Sequence, residues 1–468
     1  TNKKSTLIVN NYKVDSLNIK AILNGNIKNK FDIEILESDF IVNKNNYKFS
    51  DIAATYKIKT KRLLFFSNNI IIDSKKISND LNFQFIDNLS FIAKINKFKL
   101  NIDLDNYKDN FYFSGFFTNA DLSFMQSSLK NFSGYVEFNN NSAFLEFDSK
   151  NIRIANSKIF REQLNFENVT GKVSVKNYSS PVFNLNNISF TNEQINIVAN
   201  GFVDIKNNLI NITTHIPKVD MRYITNYLPL NFMSKKTGQY FSKSFKNGIS
   251  KNAFIKINGN ISNYPFYENF EGNSYAIFPI SQLYVDYRDG WVPFKNVSGT
   301  AYFNKKNAYF KSDQLMILDT SMNNANMYIS NVTDARLFIN GELLGPFVDL
   351  LKFSNKASLT NIDVKQINNI SGNSKTNFKM KLNFDGKENY YESSIKLNNL
   401  SYKLDDNNYL KDIKGIIKFK ENKFYTEKTK ITGKYNNYNI KFSLLTDKKN
   451  NFILNGEQKI NISNFIDN

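Results

Sequence analysis

Cysteine is absent and histidine occurs once, at His215. Disulfides, thiolate metal sites and cysteine nucleophiles are therefore excluded, and so is a multi-histidine zinc or iron centre. Only 7 prolines and 18 glycines occur among 468 residues, too few for a collagenous or proline-rich linker chain. Arginine supplies 6 of the 61 basic residues, the rest being lysine. Nucleic-acid binders favour Arg for bidentate contacts, and here the lysines are scattered between apolar positions rather than gathered. They read as the wet face of sheets, where lysine blocks edge-to-edge pairing, and nucleic acid is not an expected partner. No apolar run approaches the ~18 residues that span a bilayer; Leu63–Phe66 and Ile70–Ile72 have the length of strands.

What is present points to a folded β protein. The chain is 41% hydrophobic and 15% aromatic, too apolar to stay disordered, and it carries a net charge of +19 and 77 asparagines. The dominant signal is alternation with period two, which gives a strand one greasy and one wet face. Phe98, Leu100, Ile102 and Leu104 alternate with Lys97, Lys99, Asn101 and Asp103. The same pattern runs through Leu81, Phe83 and Phe85, through Ala253, Ile255 and Ile257, and through Phe378, Met380, Leu382 and Phe384. It returns at Ile440, Phe442 and Leu444. Polar breaks such as Asn139–Asn141, Lys206–Asn208 and Asp405–Asn408 read as turns. The fold class is all-β.

A loose repeat recurs in the order apolar-x-Gly, strand, polar turn, strand. Its copies are Asn131-Phe132-Ser133-Gly134, Asn168-Val169-Thr170-Gly171, Asn296-Val297-Ser298-Gly299 and Asp412-Ile413-Lys414-Gly415, each expected to open a strand. Helix is scarce. Asp220 is placed to cap a short segment holding Tyr223, Ile224, Tyr227 and Leu228, which Pro229 ends. A second segment is expected over Ser234–Asn247 with Gly248 as its C-terminal cap and Phe241 and Phe245 on one face. A third begins at Pro346 and carries Phe347, Leu350 and Leu351. So little helix leaves most apolar sheet faces to cover one another or to be covered by something else.

Between Asp220 and Phe353 an ordered series stands out: Tyr227-Leu228-Pro229, Gly248, Pro265-Phe266, then Trp291 and Pro293 with Val292 between them. Phe347-Val348-Asp349-Leu350-Leu351 follows. This region resembles the central part of YhdP-type members of the AsmA-like superfamily, large envelope proteins of Gram-negative bacteria. The resemblance implies an elongated, curved antiparallel sheet with a hydrophobic groove and a few short helices. It also implies a periplasmic body, an inner-membrane anchor outside this segment and a contact with outer-membrane components. The implied activity is non-enzymatic conduction of phospholipid, with no cofactor, metal or catalytic residue. Four segments are expected: 1–217 and 366–468 as flanking β-groove pieces, 218–250 as a helical insert, and 251–365 as the central β segment.

Physical chemistry supplies a reason for such a groove. A two-tailed phospholipid with ~30 methylenes faces on the order of 25 kcal/mol in leaving a bilayer for water, at ~0.8 kcal/mol per methylene. A trough of alternating apolar residues would keep the tails dry. The candidate lining is then Phe83, Phe85, Phe98, Leu100, Ile102, Leu104, Ile255, Ile257, Phe378, Met380, Leu382, Phe384, Ile440, Phe442 and Leu444. Two other readings stay open: an extended structural or adhesive β protein whose core is its own, and a β-helical carbohydrate-active enzyme. His215 lies near a strand end and is expected to face solvent. Asp103, Asp105 and Asp109 lack the glycine and terminal glutamate of a calcium loop.

Overall fold

The computed structural model describes residues 7–458, apart from 74–88, 229–242, 267–271, 331–335, 384–388, 447–451 and a few shorter breaks. Its strands form one antiparallel sheet of 26 among the described residues, β1 (Leu7–Val9) to β26 (Phe452–Gln458), and near its end β22 pairs with both β23 (Lys423–Tyr425) and β24 (Ile431–Tyr435). The chain divides into two compact units. One holds residues 1–217 with 226–235 and 256–264; the other holds 218–225, 236–255 and 265–468. The first change of unit falls at Pro217, and four more follow before residue 266.

Within the first unit, β6 (Leu89–Asp103), β7 (Phe111–Phe124), β8 (Ser127–Asn139) and β9 (Ser142–Asn156) pair in sequence. Then come β10 (Leu164–Lys176), β11 (Val182–Thr191), β12 (Ile195–Asp204) and β13 (Leu209–Asp220). In the second unit, β15 (Gly272–Val285), β16 (Phe294–Asn304), β17 (Asn307–Ile317), β18 (Thr320–Ile329), β19 (Arg336–Pro346), β20 (Ile370–Asn383), β21 (Tyr390–Lys403) and β22 (Tyr409–Lys420) continue the meander. The polar breaks read as turns at 139–141, 206–208 and 405–408 do fall between strands.

Strands this long remain one-faced only because they are bulged. Lys97, Asn119, Asn131, Asn151 and Asn187 sit inside strands of the first unit with positive φ. Gln282, Asn296, Asn324, Asn399 and Asp412 do so in the second. The pairing register slips beside them, as between Phe117 and Ala120 or between Leu397 and Leu400. Each bulge inserts one residue, bends its strand and resets which parity faces inward. Ala93 and Ile95 are buried before Lys97, and Phe98 after it. Asparagine tolerates the left-handed region better than other non-glycine residues, and 11 of the 21 such positions are Asn. At these positions asparagine has a structural use.

The repeat read as strand openings is therefore corrected. All four copies lie inside strands, in β8, β10, β16 and β22. Three of them begin on a positive-φ residue, Asn131, Asn296 or Asp412. The wiring around two copies is the same. The Asn119 N–H donates to Ser133 Oγ at 3.0 Å, and the carbonyl of Ser133 accepts from Ser149 Oγ at 2.7 Å. The Gln282 N–H donates to Ser298 Oγ at 3.3 Å, and the carbonyl of Ser298 accepts from Ser312 Oγ at 3.2 Å. Ser149 and Ser312 are buried, and they satisfy backbone groups that the bulge takes out of the ladder. The glycine that ends each copy permits close approach: a Cβ at Gly134 would collide with the Glu146 carbonyl, and one at Gly299 with the Lys311 carbonyl.

Among the helices of the described residues are α1 (Ile224–Tyr227), α2 (Phe347–Lys356) and α3 (Val364–Asn368). Asp220 caps the 3-10 turn ahead of α1, accepting from the Arg222 N–H at 3.0 Å. The Arg222 guanidinium holds the Asp220 carboxyl below its ordinary range. The helix expected to run to Asn247 is corrected at its end. Phe245, Asn247 and Gly248 belong to β14 (Phe245–Asn260), where Gly248 has φ +116 and its Cα faces the backbone of Leu283. Residues 234–242 of that expectation, Phe241 included, lie outside the described residues.

Candidate functional site

The buried face of the first unit carries a row of phenylalanines that touch from strand to strand. Phe98 meets Phe113 at 5.4 Å, and Phe113 meets Phe138 at 4.9 Å. Phe132 bridges Phe117 at 5.4 Å and Phe147 at 5.0 Å. Ile152 is fully buried, and Val169 and Ala120 nearly so.

In the second unit α2 and α3 pack on the sheet, and a cavity of about 240 Å³ remains beneath α2. Phe347 and Leu351 of α2 form one wall. Leu397 and Leu400 of β21 and Leu410, Ile413 and Ile417 of β22 form the opposite one. Phe442 and Leu444 of β25 (Tyr438–Thr446) close the far side. Ser401 and Tyr402 supply the polar edge, and every other lining residue is aliphatic or phenylalanine. At the ~30 Å³ of a water-sized group, the cavity holds about eight methylenes. Their transfer from water contributes about 6 kcal/mol at ~0.8 kcal/mol each.

Two members of the ordered series, Asp349 and Trp291, hold α2 in place, and the others pack elsewhere. Asp349 is buried on α2 and accepts from the Asp319 N–H at 2.9 Å and from Thr320 Oγ1 at 3.1 Å, tying the helix to the β17–β18 turn. Trp291 sets its ring edge-on to Phe353 of α2 at 5.9 Å and to Tyr287 at 5.8 Å. Pro293 is half-buried just before β16. Phe266 is fully buried at φ +65, with its ring where a Cβ on Gly272 would fall. Tyr227 donates to Gln194 Oε1 at 2.9 Å and accepts from Asn192 Nδ2 at 2.8 Å, and burial raises its pKa. Its ring lies 6.0 Å from that of Phe166. Leu228 is half-buried beside it. Pro229 and Pro265 lie outside the described residues.

Of the fifteen candidate lining residues, the structure brings Phe442 and Leu444 to the cavity. Phe98 is buried in the first unit's own core. Leu100, Ile102, Ile255, Ile257, Phe378, Met380, Leu382 and Ile440 are half-buried on their strands. Leu104 lies past the end of β6 and is 47% exposed. Phe83, Phe85 and Phe384 fall outside the described residues. Leu400, Leu410, Ile413 and Ile431 line the cavity but were not singled out. A bulge explains the first three: Asn399 separates Leu397 from Leu400, and Asp412 separates Leu410 from Ile413, so period two fails there.

Other chemistry is thin among the described residues. No group of three or more His, Asp or Glu side chains there could hold a metal ion. Asp103 accepts from the Asp105 N–H in a tight turn rather than meeting other carboxylates. His215 is exposed on β13. No helix is long and apolar enough to cross a membrane, among the described residues.

Compared with known families, the chain matches the family model described as YhdP protein over residues 29–467. The chain belongs to the YhdP family. That match reaches well beyond the segment around Asp220–Phe353 and takes in both units. Membership points to a role in envelope lipid transport. No curated protein and no solved structure matches the chain.

Proposed function

We propose that this chain is a non-enzymatic phospholipid conduit working between the inner and outer membranes, with acyl tails held against the apolar inner face. The observation that carries the reading is the cavity under α2, which is apolar on nearly every side and has no carboxylate, amine, guanidinium or imidazole in its lining. Contacts of that kind are non-directional, so they hold a hydrocarbon chain without fixing its position along its length. Its volume suits part of one tail, while the headgroup stays in water near Ser401 and Tyr402. Family membership supports the same reading. A periplasmic location, an inner-membrane anchor beyond this segment and outer-membrane contacts belong to the proposal.

The test is site-specific photocrosslinking from Ile413 and Phe442, with Leu100, Ile257 and Leu382 as further positions, after purification from a lipid-containing extract. Crosslinks to phospholipid at Ile413 and Phe442 are expected; their absence at every position overturns the conduit. A second reading, an extended β protein with a self-filled core, is favoured by the tight burial of Ile152, Val169 and Ala120 in the first unit. It predicts lipid at none of the five positions, so one experiment separates the two.

A further inference from the structure

The outer face of the second unit carries a feature that the cavity does not explain. Ile277, Tyr302, Tyr309, Tyr328, Phe338, Lys381 and Tyr390 stand directly opposite one another on seven successive strands, β15 to β21. At ~4.8 Å per strand this row is about 29 Å long. It lies on the side away from buried Ile339, Thr376 and Ile395, where a solvated sheet face is ordinarily polar. Tyr302, Tyr328, Phe338 and Tyr390 are each between 37% and 41% exposed.

The row also follows the ends of the strands. Tyr302 and Tyr309 are two residues from the ends of β16 and β17 that flank the Lys305-Lys306 turn, Phe338 is two from the start of β19, and Lys381 is two from the end of β20. At this rim the opposite face is greasy as well, since Phe303 is 42% exposed there. Lys305, Lys306, Lys311, Lys379 and Lys381 surround the row; Glu392 and Glu421 lie near Tyr390, and Glu392 already accepts from its hydroxyl. Lys381 Nζ lies 6.0 Å from the centre of the Phe338 ring.

We infer that this rim docks on the surface of an anionic bilayer. Tyrosine and lysine together are the side chains that settle at the headgroup level, ring in the boundary and ammonium toward phosphate. A second copy of the chain is disfavoured, because it would set lysine against lysine. A polymer lying on one face would leave exposed Phe303 unexplained, whereas a rim greasy on both faces fits insertion between headgroups. The site is separate from the cavity, so its fate does not decide the conduit.

The experiment is flotation of the full chain with vesicles of phosphatidylglycerol and phosphatidylcholine, or of phosphatidylcholine alone, at low and at 0.5 M salt. Binding is expected to the anionic vesicles and to weaken in salt. Removing lysines in Lys305→Gln/Lys306→Gln/Lys381→Gln should lower affinity about fivefold each at low salt. Tyr302→Ser/Tyr328→Ser/Phe338→Ser should abolish flotation, while Tyr438→Ser, an exposed tyrosine elsewhere, should leave it intact. Far-UV circular dichroism and lipid recovered from the cavity by mass spectrometry report that the variants remain folded. Flotation unchanged in both triple variants overturns the proposal, as does retention on polyuridylate RNA or on isolated peptidoglycan in place of vesicles.

Discussion

The two units use one device to different ends. Both bend their strands with positive-φ residues, and both join a bulge N–H, a serine hydroxyl and a second buried serine across three strands. In the first unit a train of phenylalanines runs along the buried face, each ring touching one on the next strand. In the second, α2 and α3 intervene, and helix and sheet leave a gap of about 240 Å³ between them. Room appears where a helix replaces the apolar surface that would otherwise meet it, because a rigid rod cannot fill every hollow of a pleated surface.

Substitutions can break this comparison. The largest effect is expected for Ile152→Ala, which empties a fully buried site in the first unit and should cost about 4 kcal/mol in urea denaturation. Added bulk gives the sharper contrast. Ala120→Leu in the first unit should destabilise by up to ~3 kcal/mol, since no space awaits the side chain. Ile413→Phe, pointing into the cavity, should cost less than ~1 kcal/mol and displace bound lipid in native mass spectrometry. Equal costs for the two would mean that the units do not differ in packing.

Asp349→Ala should cost about 2 kcal/mol by leaving the Asp319 N–H and Thr320 hydroxyl without their acceptor. Hydrogen exchange should then rise in α2 while β6–β9 stay protected. A smaller effect than at Asp349 is expected at Asp220→Ala, about 1 kcal/mol for a lost cap. Because the Asp220 pKa is depressed in the folded chain, its contribution is full above the unfolded value of about 3.9. It is lost as pH falls through the folded value. Wild type and variant should differ in thermal melts at pH 5–8 and converge in acid.

Alternation made the strands legible, as at Phe98 to Ile102, and Pro346 with Phe347 and Leu351 marked α2. The bulge motif was visible as a repeat but carried the signature of a turn, since asparagine followed by glycine two or three residues on serves both. Only the pairing partner separates them, and that is a long-range property. The same ambiguity at Gly248 extended an expected helix into β14. The cavity was the least legible part. Its walls come from α2, β21, β22 and β25, and two of those strands change parity at Asn399 and Asp412. Phe442 and Leu444 were found because β25 has no positive-φ residue between them.

The serine-wired bulge has a consequence for how such a molecule lengthens. Curvature is written into each strand by a few residues of that strand and its neighbours, as around Asn131–Gly134 and Asn296–Gly299. A duplicated hairpin would therefore arrive already arched and could be spliced in without recalibrating the rest. Size becomes a tunable quantity, set by counting copies rather than by redesigning a closed shape.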